Sequence, residues 1–551
     1  MKKIFLYSLI ISLGLSFTAC EDFLKEEAFG KPTTEELMQE PENMAMLVGQ
    51  AYAELKWLHD HWGYWGLNTL TSDEARCPVR QPGGHWNDSG YWASLNSMTW
   101  NYEGKAIEFV WDKCIEGANL CNQILSHIAV YKDDVDPEQY KRFEAELCVL
   151  RSYYYYTMFD LFGRIPYTEE YVTDKTAQFP LLEAADVWHK LVSCLELHTE
   201  HLPVATNPSK SANYGRVTQG FGYGLLARLY LNAASYDVKD VNDAYNKCVE
   251  YCNKIIDSNV YSIEDNFFTN FLINNTVSEE NIFVIVENGN PTFDSQSWDK
   301  MSNKLRVNLL TQHYAFNELY GLLEKPWNGF AASTQFLALY DENDRRGPCP
   351  DAMGTDVDFQ DINKKYGWFL GPVKVDGKVA VDENGTQVVI TRNFKNQTNA
   401  TWNDGARLMK YETEVNPTVN QYMDNDFVLF RYADVLYMKA EAILLGATNG
   451  TLGEVLGLKD FQMIRTRAGL DEYTASTLTI NEILDERGRE FAWENVRRRD
   501  LIRHGKYTGD TYLWDFKARG VADTRKWFPI PKKHLDIHAN DAKKWTQNEG
   551  Y

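Results

Sequence analysis

Aromatic and planar polar side chains are concentrated in one stretch near the start of the chain, between residues 67 and 98. Aromatic residues make up 14% of the sequence, and seven of its sixteen tryptophans lie within or near this stretch. The stretch has no clear helical period and sets Trp86 and Trp92 among polar residues that include Arg80 and Asn87. A pyranose ring stacks its C–H face on an aromatic ring, while amides and guanidinium groups bond its hydroxyls. We therefore predict a sugar site with Trp86 and Trp92 as aromatic contacts and Arg80 and Asn87 as hydroxyl partners.

A second group of aromatic residues lies between residues 293 and 330, in a part of the chain rich in Asn, Asp, Gly and Thr. An exposed aromatic surface needs no deep cavity, which suits a polymer that moves past it. The alternative is that the tryptophans only fill space between helices, although polar neighbours would make full burial of Trp86 costly. The predicted ligand contacts in this second group are Phe293, Trp298, Tyr320 and Trp327.

The 78 acidic side chains leave a second chemistry open, the hydrolysis of a glycosidic bond by two flanking carboxylates. The sequence marks no such pair, and it has no HExxH, no GxSxG and no phosphate-binding glycine loop. The eight cysteines after Cys20 are scattered, with no CxxC motif and no Cys/His pattern of zinc spacing. We therefore predict a protein that is not an enzyme, with no metal site, no disulfide and no cofactor.

Length and charge restrict the class of partner. The 551 residues suffice for one large domain or for two to three ordinary ones. The formal net charge is −22, which makes nucleic acid and anionic lipid poor partners.

The first twenty residues have the order of a bacterial export signal. Two lysines precede a short apolar run, and small residues lead to Cys20. A cysteine at this position is where bacteria attach lipid to a new N-terminus, and acyl chains hold a protein at a membrane without a spanning helix. Glu21 and Asp22 follow, as in surface-export signals. We predict a signal peptide over residues 1–19, lipid on Cys20, a tether over residues 20–34, and an outer-membrane protein facing the outside.

Apolar residues return every three or four positions over most of the remaining chain, which predicts paired amphipathic helices. Small and aromatic residues between 221 and 256 resemble a tetratricopeptide hairpin, and such hairpins must stack to bury their faces. The predicted fold is mainly α. The predicted helices cover residues 35–59, 105–130, 137–162, 184–202, 217–236, 241–257, 426–446, 456–467 and 480–504.

A loop-rich insertion interrupts the helical scaffold. Residues 281–287 read as a strand, and residues 378–381 and 388–391 flank Asn384-Gly385, which is a hairpin signal. We predict a single domain over residues 35–551. Its parts are a helical scaffold (35–270 and 425–505), a variable loop-rich region (271–424) and an extended tail (506–551).

Ten short motifs are spread along the chain. They are 150–155 (LRSYYY), 161–163 (LFG), 430–436 (FRYADVL), 439–442 (KAEA), 464–470 (IRTRAGL), 486–487 (ER), 489–491 (REF), 500–503 (DLIR), 528–531 (FPIP) and 547–551 (QNEGY). Together they resemble the motifs of the SusD/RagB family of nutrient-binding outer-membrane lipoproteins from Bacteroidetes. Two departures from the family pattern are Gly488 inside a helix and Asn495 where the family usually has glycine.

The resemblance implies a function as well as a fold. It implies non-catalytic capture of an oligosaccharide or polysaccharide and its delivery to a SusC-like TonB-dependent transporter, with the tetratricopeptide-like face as the contact. In the starch-binding member of the family, an arc of aromatic residues comes from the same two regions of the chain. A surface glycoside hydrolase remains an alternative, and so does peptide or glycopeptide binding, as in the RagB branch.

Overall fold

The structure of the protein is a computed structural model. The segment that carries the predicted signal peptide, Cys20 and the tether lies outside the described residues. The structure describes residues 41–81, 86, 88–174, 177, 179–205, 212–239, 241–287, 307–348, 366–375, 377–392, 394, 396–417, 424–541 and 545–551.

The fold is mainly helical, as predicted. Helices fill the first half of the described chain and return after residue 430. In chain order they are α1 (Pro41–Gln50), α2 (Ala53–Leu58), α3 (Tyr64–Thr71), α4 (Tyr91–Asn96), α5 (Lys105–Val130), α6 (Pro137–Phe162), α7 (Ala184–His198), α8 (Gln219–Leu231), α9 (Val241–Ile256), α10 (Val307–Thr311), α11 (Phe316–Tyr320), α12 (Thr334–Leu337), α13 (Tyr432–Leu444), α14 (Leu452–Leu456), α15 (Lys459–Arg467), α16 (Ile480–Glu490), α17 (Arg497–Arg503) and α18 (Lys532–Ile537).

Helices α5 and α6 have the predicted bounds because the signals at their ends are local. The carboxylate of Asp136 accepts hydrogen bonds from the second and third backbone N–H groups of α6, and Pro137 fits its first turn. Gly163 ends this helix with a positive φ of 70°. The two helices pack closely, since a Cβ on Gly117 would come within 2.4 Å of the Tyr154 ring. Helices α8 and α9 form a second packed pair, and α9 also contacts α13.

Other predicted helices are shorter than expected or divided. The described part of the predicted helix 35–59 consists of α1 and α2, which residues 51 and 52 separate as a turn. The predicted helices 184–202 and 217–236 end as α-helices at His198 and Leu231, and each is followed by a 3₁₀ turn.

Short strands lie mostly in the loop-rich region, and those described form seven two-stranded pairs. The pairs are β1–β6, β2–β12, β3–β4, β5–β14, β7–β13, β8–β11 and β9–β10. The strands are β1 (Ala75–Arg76), β2 (Arg80–Gln81), β3 (Ile165–Pro166), β4 (Leu181–Leu182), β5 (Asn281–Ile285), β6 (Ala331–Ala332), β7 (Gly367–Phe369), β8 (Gly371–Pro372), β9 (Lys374–Val375), β10 (Lys378–Val379), β11 (Val389–Ile390), β12 (Ala400–Thr401), β13 (Arg407–Met409) and β14 (Phe427–Arg431).

The predicted strand at 281–287 is present as β5, and the predicted hairpin around Asn384-Gly385 forms but is short. An antiparallel bridge between Val381 and Gln387, made by two backbone hydrogen bonds, joins its two sides. Strand β10 pairs with the preceding β9, and β11 pairs with β8. The turn itself forms, with Gly385 at a φ of 74°, but pairing with earlier strands replaces a long two-stranded ladder.

The predicted helix 480–504 is divided into α16 and α17. Trp493 and Asn495 between them have φ values of 62° and 66°, which no α-helix accommodates. The asparagine at the usual glycine position of the family therefore adopts a conformation that glycine adopts without strain.

Buried ion pairs join the C-terminal helices to β5 and β14. The Arg431 side chain contacts Glu490 at 2.9 Å and Glu494 at 2.8 Å, and Arg467 contacts Glu280 at 2.7 Å. Each of these charges is nearly or completely buried, where an unpaired ion would be strongly destabilising. Arg431, Arg467 and Glu490 of the motifs therefore have a structural role.

One large hydrophobic core includes residues from the early helices, the loop-rich region and the C-terminal helices. A smaller core lies within the loop-rich region and includes Phe316, Tyr320 and Phe369. Among the described helices, none combines the length and the apolar character that crossing a membrane requires.

Candidate functional site

Trp86 and Trp327 lie side by side, although they are far apart in the sequence. Their ring centroids are 5.1 Å apart, with the edge of one ring toward the face of the other. The Trp86 ring also stacks on Phe330 at 5.4 Å. The buried His61 ring supports both tryptophans, at 5.7 Å from Trp86 and 5.3 Å from Trp327. The structure thus brings together two of the predicted ligand contacts.

Two more half-buried aromatic residues extend this surface. Trp62 and Tyr91 stack with their centroids 5.6 Å apart, and Trp62 lies 4.6 Å from the ring of Trp92. The Tyr91 hydroxyl accepts a hydrogen bond from the N–H of Ala106, which orients the ring. We call the four half-buried residues Trp62, Trp86, Tyr91 and Trp327 the aromatic platform.

Close approach of the backbone positions the centre of the platform. A Cβ on Gly329 would lie 2.2 Å from two carbon atoms of the Trp86 ring, so only glycine fits beneath it. The N–H groups of Trp327 and Gly329 donate to carbonyls of α10 at 2.8 Å each. Trp86 itself has a φ of 38°, a strained value for a bulky residue. Strain of this kind persists where surrounding contacts fix the conformation.

Arg80 lies behind the platform and is not a hydroxyl partner, so this prediction is wrong. The side chain is only 1% exposed, and its guanidinium donates to the carbonyls of Asn328 at 2.6 Å, Thr401 at 2.8 Å and Asp404 at 2.9 Å. Burial lowers the pKa of Arg80 to about 10. The arginine satisfies its donors within the protein and ties the loop that carries Trp327 to the loop around residue 402.

A second buried arginine strengthens the same link. Arg407 donates to the side-chain oxygen of Asn328 and to the carbonyl of Trp402, both at 2.9 Å. Burial first, and the nearby positive charge of Arg80 second, hold the pKa of Arg407 well below its usual value. Two adjacent buried guanidinium groups therefore need the surrounding carbonyl oxygens as hydrogen-bond acceptors to offset the cost of their burial.

Two predicted aromatic contacts are also wrong as contacts. Trp92 is completely buried, and its indole N–H donates to the carboxylate of Asp88, so it supports the platform from below. Tyr320 is completely buried in the smaller core against Phe316. Both rings fill space in the core, and their local sequence does not reveal that they are buried. Three further predicted contacts lie outside the described residues: Asn87, Phe293 and Trp298.

The structure also places aromatic residues that the sequence prediction did not select. Trp62 falls in the break between α2 and α3, in the sequence His61-Trp62-Gly63, and an aromatic residue in such a break is a weak signal of exposure. Tyr314 and Trp402 form an edge-to-face pair at 5.0 Å, and both are half-buried. Because Arg80 and Arg407 bond the Trp402 carbonyl, this pair is connected to the platform through the same loops.

Polar groups at these surfaces can bond hydroxyls. Asp88 is exposed, and its bond to the Trp92 indole holds it next to the platform. The Lys325 ammonium lies 4.8 Å from the centre of the Tyr314 ring and 2.6 Å from the Glu383 carboxylate. Aromatic faces beside carboxylate and ammonium groups can stack on a sugar and bond its rim.

Carboxylates near the platform are engaged in internal contacts. The Asp60 carboxylate lies 2.7 Å from Nδ1 of His61. Glu74, deeper in the core, is completely buried, and burial raises its pKa to about 8. Its carboxyl accepts the N–H of Trp493 at 2.7 Å. In the described part of the chain, three metal-binding side chains come within ligand distance of one another only on α6 and α7.

Two family models match the sequence. The model described as the SusD family matches residues 324–551, which include the C-terminal motifs. The model described as starch-binding, associating with outer membrane, matches residues 66–231, which carry Trp86 and α5 to α8.

Known proteins of similar sequence or structure include proteins named for SusD and a surface glycan-binding protein. The starch-binding protein SusD of Bacteroides thetaiotaomicron is 24% identical over 493 residues, which is 85% of this chain and 82% of that protein. Surface glycan-binding protein A of the same organism, in complex with laminarihexaose, is 21% identical. It has a TM-score of 0.70 over 92% of this chain and 99% of its own. A SusD superfamily protein from Parabacteroides distasonis is 19% identical, with a TM-score of 0.69 over 95% and 100% of the two chains. These matches confirm the resemblance to the SusD/RagB family that the motifs predicted.

Proposed function

We propose that this protein captures a glycan at the outer surface of a bacterial outer membrane by stacking it on the aromatic platform. It does so without catalysis, and it passes the glycan to a SusC-like TonB-dependent transporter. A lipid on Cys20 holds it at the membrane.

The single observation that carries this proposal is the aromatic platform itself. Four half-buried aromatic rings from two distant parts of the chain lie against the buried rings of His61, Trp92 and Phe330. Buried arginines fix the loops behind them. A rigid and partly exposed aromatic surface loses little entropy when it binds, which favours a stacked sugar.

The relatives support a glycan as the ligand. One is named for binding starch and another was solved with laminarihexaose. The description of the second family model supports location at the outer membrane. The engagement of Asp60 with His61 and the full burial of Glu74 favour binding over hydrolysis.

The experiment measures affinity for glycans after removal of one platform ring. Protein lacking residues 1–20 retains every described residue and is run through native gels that contain laminarin, starch or other plant and host polysaccharides. For the polysaccharide that retards the protein, we expect Trp86→Ala and Trp327→Ala each to weaken affinity by about 10-fold, because one aromatic contact contributes on the order of 1 kcal/mol.

The matched control is Tyr171→Ala, which removes an aromatic side chain that is 36% exposed and lies outside the platform. It leaves retardation unchanged if the platform is the site. Equal retardation of Trp86→Ala, Trp327→Ala and the parent protein would contradict the site. New reducing ends after incubation with the polysaccharide would contradict the non-catalytic role. Retention by peptides alone would move the ligand to that class.

A further inference from the structure

A group of two thiols and an imidazole lies where α6 packs against α7, on a different part of the fold from the platform. Cys148 lies on α6, and Cys194 and His198 lie one turn apart at the end of α7. The two sulfur atoms and one imidazole nitrogen all lie within 4.8 Å of one another. Side chains at i and i+4 share a helix face, so α7 directs both of its ligands toward α6.

We propose that Cys148, Cys194 and His198 form a binding site for a zinc-type divalent cation. Zn²⁺ prefers cysteine sulfur and histidine nitrogen, and it accepts three protein ligands with water in the fourth position. The two cysteines are 5% and 8% exposed, whereas His198 is half-buried and provides the route of entry.

Arg151 supplies the outer layer of this site. Its Nη2 lies 4.0 Å from the sulfur of Cys148 and 3.8 Å from that of Cys194. Its Nη1 donates to the amide oxygen of Asn122 at 2.9 Å, which fixes the guanidinium in place. Hydrogen bonds from such outer groups orient metal ligands.

The charges balance when the ion binds. Each thiol transfers its proton to solvent and the imidazole binds through a neutral nitrogen, so two thiolates offset one divalent cation. The remaining positive charge of Arg151 is offset by the Glu169 carboxylate at 3.1 Å. The site therefore holds the ion without an unpaired buried charge.

A pair of cysteines with the same four-residue spacing as Cys194 and His198 provides a contrast. Cys248 and Cys252 on α9 are both completely buried. Within the residues that the structure describes, they belong to no group of three metal-binding side chains, unlike Cys148 and its two neighbours. The sequence alone shows no zinc motif because the third ligand of the proposed site comes from another helix.

The experiment titrates metal into protein lacking residues 1–20 and prepared with a chelator and a reductant. Co²⁺ alone reports thiolate ligands through a charge-transfer band in the near ultraviolet, and Zn²⁺ is then measured by competition with a chromophoric chelator. We expect one equivalent of Co²⁺ to produce the band and one equivalent of Zn²⁺ to remove it.

Variants assign the signal to the three residues. Cys194→Ala and His198→Ala are each expected to weaken Zn²⁺ binding by at least about 100-fold, because even outer-layer groups typically contribute 10–100-fold. The matched controls are Cys252→Ala, in the other cysteine pair, and His189→Ala, an exposed histidine on the same helix. Both controls keep the affinity of the parent protein. Circular dichroism melting verifies that each variant is folded, and His198→Ala tests the site without opening the core.

Two results would overturn the proposal. One is the absence of a Co²⁺ band in the folded, reduced protein, or a band that His198→Ala and Cys194→Ala leave unchanged. The other is a mass lower by two hydrogen atoms in protein purified in air, combined with failure to bind Zn²⁺ after reduction. Molecular oxygen would then have joined Cys148 and Cys194 as a disulfide.

Discussion

Glu74 is an acidic residue that lies inside the core, next to Trp493. It follows Asp73 directly, and both are completely buried. Asp73 is paired with Arg497 at 2.8 Å, whereas the Glu74 carboxyl has only neutral donors, the N–H of Trp493 and the hydroxyl of Ser72. Burial is the largest cause of its raised pKa, about 8. The group is therefore protonated in the folded protein at neutral pH.

We predict that Glu74→Gln makes stability less dependent on pH. The pKa of Glu74 is about 8 in the folded protein and near the ordinary glutamate value of 4.5 in the unfolded chain, so between these values the folded state binds one more proton. The free energy of unfolding then falls as pH rises, by up to about 1.4 kcal/mol per pH unit, and levels off above pH 8. Urea unfolding at several pH values measures this slope.

The comparison is between the slopes of the two proteins, because other groups titrate in both. The parent protein is expected to lose more stability than Glu74→Gln between pH 5 and pH 8. Glutamine keeps the oxygen that accepts the Trp493 N–H, so the contact at 2.7 Å is preserved. Parallel slopes would show that the carboxyl does not retain its proton.

Residue types alone could not distinguish the half-buried rings of the aromatic platform from the buried side chains beneath them. Trp86 and Trp327 are half-buried as predicted, but Trp92 has the same composition around it and is completely buried. Arg80 resembles an exposed polar partner until the carbonyls of Asn328 and Asp404 are seen around it. Such burial depends on contacts between distant segments, and the spacing of residues in one segment does not record them.

At the scale of elements, the turn between α16 and α17 connects the C-terminal helices to Asp73 and Glu74, which follow α3. Trp493 donates its N–H to Glu74, and Arg497, in the first turn of α17, pairs with Asp73. Asn495 between them has a φ of 66°, and its buried side-chain oxygen has no hydrogen-bond partner among the residues that the structure describes. The turn is therefore both strained and incompletely satisfied.

We predict opposite effects for two substitutions in this turn. Asn495→Gly removes the unsatisfied oxygen and adopts a positive φ freely, so stability rises by about 0.5–1 kcal/mol. Asn495→Ala also removes the oxygen but places a Cβ in the left-handed region, which costs about 1–2 kcal/mol relative to glycine. Thermal unfolding of both variants and the parent protein orders the three midpoints. A higher midpoint for alanine than for glycine would contradict the explanation by backbone strain.

Elements were predicted correctly where the sequence signals that fix them are local, and less well where contacts with distant segments decide them. Helices α5 and α6 were predicted with their bounds because their period, the Asp136 cap and Gly163 are all local. The continuous helix 480–504 was wrong because the positive φ of Trp493 has no local signal, and Asn495, a residue type enriched at positive φ, is only a weak one. The hairpin around Asn384-Gly385 forms, but it is shorter than predicted because β9 and β8 pair with the outer parts of its two sides.

At the scale of the whole molecule, the proposed function requires a platform held near a membrane that the described helices do not cross. The net charge of −22 gives an anionic membrane surface no attraction for the body of the protein. We have proposed lipid on Cys20 as the attachment, and two or more acyl chains give stable anchoring where a single chain does not.

We predict that Cys20→Ala in the full chain, expressed in a bacterium that processes lipoproteins, moves the protein from the membrane fraction to the soluble fraction. Mass spectrometry of the parent protein is expected to find acyl groups on Cys20, and labelled fatty acid is expected to enter the parent but not the variant. Trp86→Ala is the matched control, because it removes a platform ring and leaves the anchor intact. If Cys20→Ala remained in the membrane fraction as fully as Trp86→Ala does, attachment would have to come from a protein partner instead of lipid.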